Sequence, residues 1–133
     1  MNIKGFTLVE LMVTVIIIGI VAAIAVPHYL NTQEKGFGAQ AIETLNIIHS
    51  AEGVWAIENS SYTNSIANLQ SCATFVANDG EWTYSIVSAT TDTFTATATR
   101  NNGRFVNYYI TLNQTATLTY FDDASNDIGR YPD

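Results

Sequence analysis

The sequence predicts an α+β fold in which one long N-terminal helix packs on a four-stranded antiparallel meander sheet. An almost unbroken apolar run extends from Phe6 to Val26, apolar residues then recur at helical spacing, and the period changes to two from Trp82 onward. A chain of 133 residues has room for one domain and one membrane segment. We predict three divisions: residues 1–5, a membrane-spanning helix half over 6–27 and a globular domain over 28–133.

The first element is a segment that is long and apolar enough to cross a membrane. As a helix rising about 1.5 Å per residue, Phe6 to Val26 would span roughly 31 Å, which is close to the thickness of a bilayer core. Glu10 is its only charged residue. Because a carboxylate in hydrocarbon costs about 3 kcal/mol even on lenient scales, we expect Glu10 to have a partner.

The residues around Glu10 resemble a known processing signal. Residues 4–11 (KGFTLVEL) are similar to the prepilin signature of type IV pilins and type II secretion pseudopilins. The resemblance implies that residues 1–5 are a leader, that a prepilin peptidase cuts between Gly5 and Phe6, and that Phe6 is then N-methylated. It also implies the pilin fold and a bacterial inner-membrane location before assembly.

Cleavage after Gly5 would supply a partner for Glu10. The cut creates a positive α-amino group on Phe6, and a small axial stagger between subunits would bring the carboxylate of one to the amine of its neighbour. A buried ion pair often only offsets its own desolvation, whereas an unpaired buried charge is heavily penalised. The predicted role of Glu10 is therefore to fix the register of assembly.

Two residues are predicted weak points of this helix half. Gly19 costs about 1 kcal/mol in a helix relative to alanine, and Pro27 removes the hydrogen bond to the carbonyl of Ala23. The family resemblance implies partial unwinding there in a filament, and a simple proline kink is the alternative. Two other readings of the segment are open: an uncleaved anchor, and a secretory signal peptide cut after Ala23-Ile24-Ala25.

The predicted helix continues over 28–58 and becomes amphipathic. Ala41, Leu45, Ile48, Ala51 and Trp55 form a stripe at steps of three and four, which should face the sheet. Residues expected on or near the opposite face are Glu43, His49, Glu52 and Glu58. Gly36 and Gly38 make the local helicity less certain, and Asn59-Ser60-Ser61 should end the helix.

A connecting loop is predicted over 59–81, with a short helical turn plausible inside it. Leu69, Cys72 and Phe75 are its expected anchors, and Cys72, the single cysteine, is interpreted as a small buried apolar residue, with a reactive thiol or an intermolecular bridge as the alternatives. The sheet follows over 82–121. Its predicted strands are Trp82–Ser88, Thr93–Arg100, Phe105–Leu112 and Thr115–Phe121.

The face of the sheet that carries Thr93, Thr95, Thr97 and Thr99 should point away from the helix, toward solvent or neighbouring subunits. The acidic tail over 122–133 gathers carboxylates in a turn-prone segment. Asp122, Asp123 and Asp127 are candidate calcium ligands, since calcium prefers several such oxygens in a flexible loop. A solvated acidic turn without metal is the alternative, and no other cofactor is expected.

The net charge of −7, from five Lys or Arg against twelve Asp or Glu, disfavours non-specific nucleic-acid binding. Only Arg100, Arg104 and Arg130 have the positions to form a local basic patch. His28 and His49 lack ligand spacing and are interpreted as solvated or packed side chains. We find no nucleophile elbow, phosphate loop or cluster of His and Cys, so the chain is not predicted to be an enzyme.

These features predict a structural subunit of a type IV pilus-like filament, a homopolymer that buries its N-terminal helix in the fibre core. Attachment, motility or aggregation would be properties of the fibre and its assembly machinery. The first alternative is a pseudopilin of a type II secretion system, which would stay periplasmic instead of reaching the cell exterior. The second is a soluble secreted binding module released by signal peptidase.

Overall fold

The computed structural model describes residues 5–131, which form two helices and four strands. Helix α1 spans Leu8–Asn59 and α2 spans Ile66–Cys72. The strands are β1 (Trp82–Ala89), β2 (Phe94–Arg100), β3 (Tyr109–Asn113) and β4 (Leu118–Phe121), and they pair in that order, all antiparallel. The α+β prediction and the meander are confirmed. Of the predicted leader, residues 1–4 lie outside the described residues, as do residues 132–133 of the acidic tail.

Helix α1 begins and ends at capping groups. The Thr7 hydroxyl accepts a hydrogen bond from the amide of Glu10 at 3.2 Å, which satisfies one of the free N–H groups of the first turn. At the other end Ser60 adopts a left-handed conformation with φ 56° and donates its N–H to the carbonyl of Ala56. The predicted stop at Asn59-Ser60-Ser61 is therefore confirmed.

The 52 residues of α1 form one uninterrupted helix through Pro27, Gly36 and Gly38. The helix is therefore present at Gly36 and Gly38, where the sequence left it uncertain, and at Gly38 a contact explains the glycine. A Cβ placed there would lie 2.8 Å from Cδ1 of Tyr131, so glycine is what allows the C-terminal segment to pack on the helix. The predicted membrane half and the amphipathic half are thus parts of a single element.

The core lies between α1 and one face of the sheet. Four residues of the predicted stripe, Ala41, Leu45, Ile48 and Ala51, are essentially fully buried, and Trp55 is half-buried against them. They pack on inward-facing sheet residues, of which Phe94, Ala96, Ala98, Ile110 and Leu112 are buried. Leu69 of α2 is buried as predicted, whereas Cys72 and Phe75 are only half-buried.

Strand boundaries differ from the prediction where turns interrupt the alternation. Strand β3 begins at Tyr109 because residues 104–107 form a turn in which Asn107 has φ 67°, and Val106 is consequently 44% exposed. Strand β4 begins at Leu118 because the side chain of Asn113 accepts hydrogen bonds from the amides of Thr115 and Thr117 and closes a turn. Strand β1 extends to Ala89 through a bulge between Ile86 and Ser88.

Candidate assembly surface

The N-terminal half of α1 is an apolar surface that nothing in the described chain covers. Every large hydrophobic residue from Phe6 to Leu30 is at least 48% exposed. A monomeric soluble protein rarely exposes more than a few hundred Å² of contiguous apolar surface. By length and composition this segment can cross a membrane, although an N-terminal signal sequence would meet the same test. The surface therefore calls for lipid or protein around it.

Glu10 lies in the first turn of α1, at the N-terminal end of this apolar surface, and is exposed. Phe6 and Thr7 precede the helix, so the backbone nitrogen of Phe6 and the carboxylate of Glu10 belong to the same end of the molecule. An acid in the first turn is favoured by the helix dipole. For an exposed acid the helix dipole contributes only about 0.3–1 kcal/mol. That gain does not offset the cost of burying a lone carboxylate in lipid or protein.

Gly19 and Pro27 lie on this same half of the helix. A Cβ added at Gly19 would meet no atom within 4 Å, so no contact in the described chain requires glycine there. Pro27 leaves one carbonyl of the preceding turn without its helical donor. The predicted loosening between them concerns the assembled filament and stays a prediction.

Arg100 fastens the amphipathic half of α1 to the sheet just beyond the apolar surface. Its side chain is 2% exposed and lies between Glu34 of α1, at 3.5 Å from Nη2, and Glu81, which pairs with Nη1. The guanidinium stacks over the ring of Phe37, 4.2 Å from its centroid. The prediction that Arg100 belongs to a surface basic patch is therefore wrong, because its guanidinium is buried and paired with two carboxylates. Arg100 follows Phe94, Ala96 and Ala98 at steps of two along β2, so it lies on the same inward face of the sheet. The alternation of the strand therefore indicates its burial.

Glu52 is a second buried charge that contradicts the prediction. It was expected near the solvent face of the helix, but it is 0% exposed and its Oε2 accepts a hydrogen bond from the amide of Thr63 at 3.0 Å. Its Oε1 makes no hydrogen bond among the described residues. Burial raises the pKa of Glu52, opposed by the Thr63 hydrogen bond. Glu52 thus holds the start of the loop that follows α1.

The acidic tail folds back on the sheet. The side chain of Asp122 accepts hydrogen bonds from the Asn126 side chain, from the Asn126 amide and from the Ala124 amide, and these bonds lower the pKa of Asp122. Asp127 bridges to Phe121 at the edge of β4. The part of the chain that the structure describes contains no group of three or more His, Cys, Asp or Glu arranged to hold a metal. Calcium binding by Asp122, Asp123 and Asp127 stays a prediction.

Tyr131, the last described residue, packs against α1 beside Gly38. The Tyr131 ring contacts Trp82, with centroids 5.4 Å apart, and Phe105 at 5.9 Å. Burial, together with the nearby Glu34 carboxylate, raises the pKa of Tyr131 to about 12.

His49 is half-buried, with Nε2 3.0 Å from the carbonyl oxygen of Gln114, as expected for a packed histidine.

Comparison with known proteins gives three findings. Residues 1–26 match the model of the prokaryotic N-terminal methylation motif. The type IV wide pilus major component PilA4 of Thermus thermophilus is 32% identical over 102 residues, which cover 77% of both chains. The type IV narrow pilus major component PilA5 of the same organism is 31% identical over 102 residues, covering 71% of this chain and 87% of that protein.

A second group of relatives shares a shorter region. Type II secretion system core protein G of Pectobacterium carotovorum subsp. carotovorum is 30% identical over 71 residues, covering 53% of this chain and 46% of that protein. The corresponding protein of Vibrio cholerae is 34% identical over 74 residues, which cover 56% of this chain and 51% of that protein. Similarity to the two Thermus thermophilus pilus components thus extends over more of this chain than similarity to core protein G does.

Proposed function

From the premise that this chain belongs to the type IV pilin and pseudopilin family, we propose that it is the structural subunit of a type IV pilus-like filament displayed outside the cell. Membership makes it a filament subunit. The observation that carries the proposal is the uncovered apolar half of α1, with a single acid at its N-terminal end, joined without interruption to a helix half that is packed in a folded domain.

The proposed assembly exchanges one apolar environment for another. Before assembly the apolar half lies in the bilayer, and in the filament it packs against the same segment of neighbouring subunits. A helix that is apolar on all sides suits both surroundings. Because α1 is continuous, the folded domain is carried along as a rigid extension and comes to lie outside the helical core. The chain's partners are then copies of itself, the membrane, the prepilin peptidase and the assembly machinery.

Glu10 decides the register of that packing. The proposed cut between Gly5 and Phe6 produces a cationic, N-methylated amine, and the neighbour's Glu10 neutralises it in the core. A subunit inserted at the wrong height leaves both charges buried and unpaired, which costs roughly 3–5 kcal/mol. Gly19 and Pro27 provide the segment that can stretch to accommodate the packing.

The two matches that cover the most of this chain are pilus components, which favours a pilus over a secretion apparatus. The two Thermus thermophilus pilus components match over 102 residues, which reach into the sheet, whereas the secretion core proteins match over about half of this chain. A third type IV major pilin, from Myxococcus xanthus, matches over 46% of this chain. A periplasmic pseudopilin is the second candidate, favoured by the matches to core protein G and by the acidic tail.

Two observations on cells test the proposal. We expect mass spectrometry of the purified mature chain to show an N terminus at Phe6 with one added methyl group, and electron microscopy to show surface filaments that are lost when the gene is deleted. An N terminus at Val26 would contradict the proposal in favour of a soluble secreted module. Correct processing without surface filaments, combined with loss of protein secretion in the deletion strain, would select the pseudopilin.

A further inference from the structure

The sheet face turned away from α1 carries a regular row of hydroxyl groups. Ser85 lies opposite Thr97, Thr97 opposite Thr111, and Thr111 opposite Thr119, so the row crosses all four strands. Neighbouring strands are about 4.8 Å apart, which sets the spacing of the hydroxyls. We call Ser85, Thr97, Thr111 and Thr119 the hydroxyl row.

An aromatic pair borders the row. Two residues along the strands, Thr99 lies opposite Tyr109 and Tyr109 opposite Phe121. The rings of Tyr109 and Phe121 are stacked, with centroids 4.7 Å apart and planes 15° from parallel. Together with Ser85, Thr97 and Thr111 of the row they line a shallow depression of about 550 Å³, a volume in the range of ligand sites. Its lining residues are Ser85, Val87, Thr95, Thr97, Thr99, Tyr109, Thr111 and Phe121.

Thr97, at the centre of the row, has a hydroxyl that the fold does not use. The residue is only 6% exposed, and its Oγ1 makes no hydrogen bond within the part of the chain that the structure describes. A buried hydroxyl without a partner costs about 1–3 kcal/mol. Valine would fill the same volume without that cost, so packing alone does not explain a threonine at this position.

The chemistry of the depression specifies a neutral ligand rich in hydroxyls. None of its lining residues carries a charge at neutral pH, although the chain as a whole has a net charge of −7. An ionic ligand would lose its hydration there and gain no counter-charge. Hydroxyls that both donate and accept match the hydroxyls of a sugar. The aromatic pair offers an apolar surface to the C–H face of a pyranose ring, whose hydrogens suit the negative face of an aromatic ring.

We propose that this face binds neutral polysaccharide, with the hydroxyl row contacting sugar hydroxyls and the Tyr109–Phe121 pair stacking against a sugar ring. Binding by a single chain does not depend on assembly. Display in many copies does rest on the proposed function: α1 covers the opposite face of the sheet and leads into the filament core, so the binding face would point outward from every subunit. Repetition along a filament would convert weak single-site binding into strong attachment.

The test uses the full chain in a zwitterionic detergent that has no sugar headgroup. We expect the chain to sediment with insoluble cellulose, chitin or mannan. We expect it not to bind polygalacturonate, an anionic polysaccharide. Thr97→Val should weaken binding to the neutral probe about tenfold while leaving the melting temperature equal or higher, because the lost hydroxyl has no partner in the described part of the fold. A purely structural role for Thr97 would not produce that combination.

Two further variants complete the design. Tyr109→Ala should weaken binding at least as much as Thr97→Val, and Thr91→Val, an exposed change outside the depression, should alter neither binding nor melting temperature. The proposal is overturned if no neutral polysaccharide is bound, if Thr97→Val binds as well as the parent chain, or if its filaments are lost, which would make the face a subunit contact. Processing at Phe6 and filament imaging are read independently, so failure here leaves the proposed function intact.

Discussion

The two halves of α1 belong to one continuous helix but differ in how their apolar side chains are covered. Between Phe6 and Leu30 its apolar side chains are exposed on all sides, whereas Ala41, Leu45, Ile48 and Ala51 are buried against the sheet. The second half has a polar face and a partner within the chain, and the first half has neither. The difference shows that folding of this chain ends near Glu34, where Arg100 joins helix to sheet. On the N-terminal side of Glu34, the apolar residues of α1 form a surface for contact with other molecules.

The largest effect on the folded half is expected at Arg100. Arg100→Met leaves the carboxylate of Glu34, on a largely buried side chain, without its cation, so we expect the free energy of unfolding of the full chain in detergent to fall by about 3–5 kcal/mol. Thermal unfolding followed by circular dichroism measures it. Arg104→Met, at an exposed arginine bonded to Asn31, should change stability by no more than about 0.5 kcal/mol. Equal effects of the two variants would refute a special role for Arg100.

A matched pair of truncations contrasts the two halves directly. Leu45→Ala removes a fully buried side chain and should cost about 2–5 kcal/mol of stability. Ile17→Ala, at a side chain 55% exposed, should leave the melting of the domain unchanged and reduce filament yield instead. The comparison fails if Ile17→Ala destabilises the isolated subunit as much as Leu45→Ala does.

Gly38 and Gly36 offer a smaller contrast within one stretch of α1. Gly38→Ala places a Cβ 2.8 Å from the Tyr131 ring and should cost about 1–3 kcal/mol by displacing it. Gly36→Ala meets no atom within 4 Å and should stabilise the helix by roughly 0.5–1 kcal/mol. Tryptophan fluorescence, which is sensitive to the contact of Trp82 with Tyr131, and thermal unfolding report on both variants. A stabilising Gly38→Ala would show that Tyr131 does not dock against the helix.

The smallest effect concerns pH. Because burial raises the pKa of Glu52 above its unfolded value near 4.5, the folded state binds this proton more tightly than the unfolded state does. Its contribution to stability is therefore fully present below the unfolded pKa and is lost as pH rises through the folded pKa. Glu52→Gln should flatten this part of the stability profile and raise the melting temperature at neutral pH. An unaltered profile in Glu52→Gln would contradict the assignment.

Much of the fold followed from periodicity. The helical stripe, the meander and the threonine face turned away from α1 agree with the structure, although Thr97 on that face is buried. Burial of one face leaves a repeat that a sequence displays. The strand limits did not follow, because the alternation around Val106 and Tyr108 continues past a turn that depends on the backbone of Asn107. The burial of Glu52 was missed although Leu45, Ile48 and Glu52 share one helix face, because a charged residue is ordinarily assigned to solvent.

The assembly surface was predictable in a different way. Its apolar length and Glu10 are explicit in the sequence, and the resemblance of residues 4–11 to a processing signal added the prediction of a cleavage site. The orphan hydroxyl of Thr97 was not predictable, because it depends on which hydroxyls meet across β1 to β4. Side-chain partners that arise from strand register need coordinates.

Filament formation by Glu10→Gln tests the central claim most directly. The variant keeps the size and polarity of the side chain but removes the charge that we propose neutralises the Phe6 amine of a neighbour. Glu43→Gln is the matched control at an exposed acid on the same helix. With processing at Phe6 verified by mass spectrometry in both strains, we predict that Glu43→Gln assembles surface filaments at the parental level and that Glu10→Gln accumulates as membrane-inserted subunit with few or none. Normal filaments from correctly processed Glu10→Gln would contradict the account.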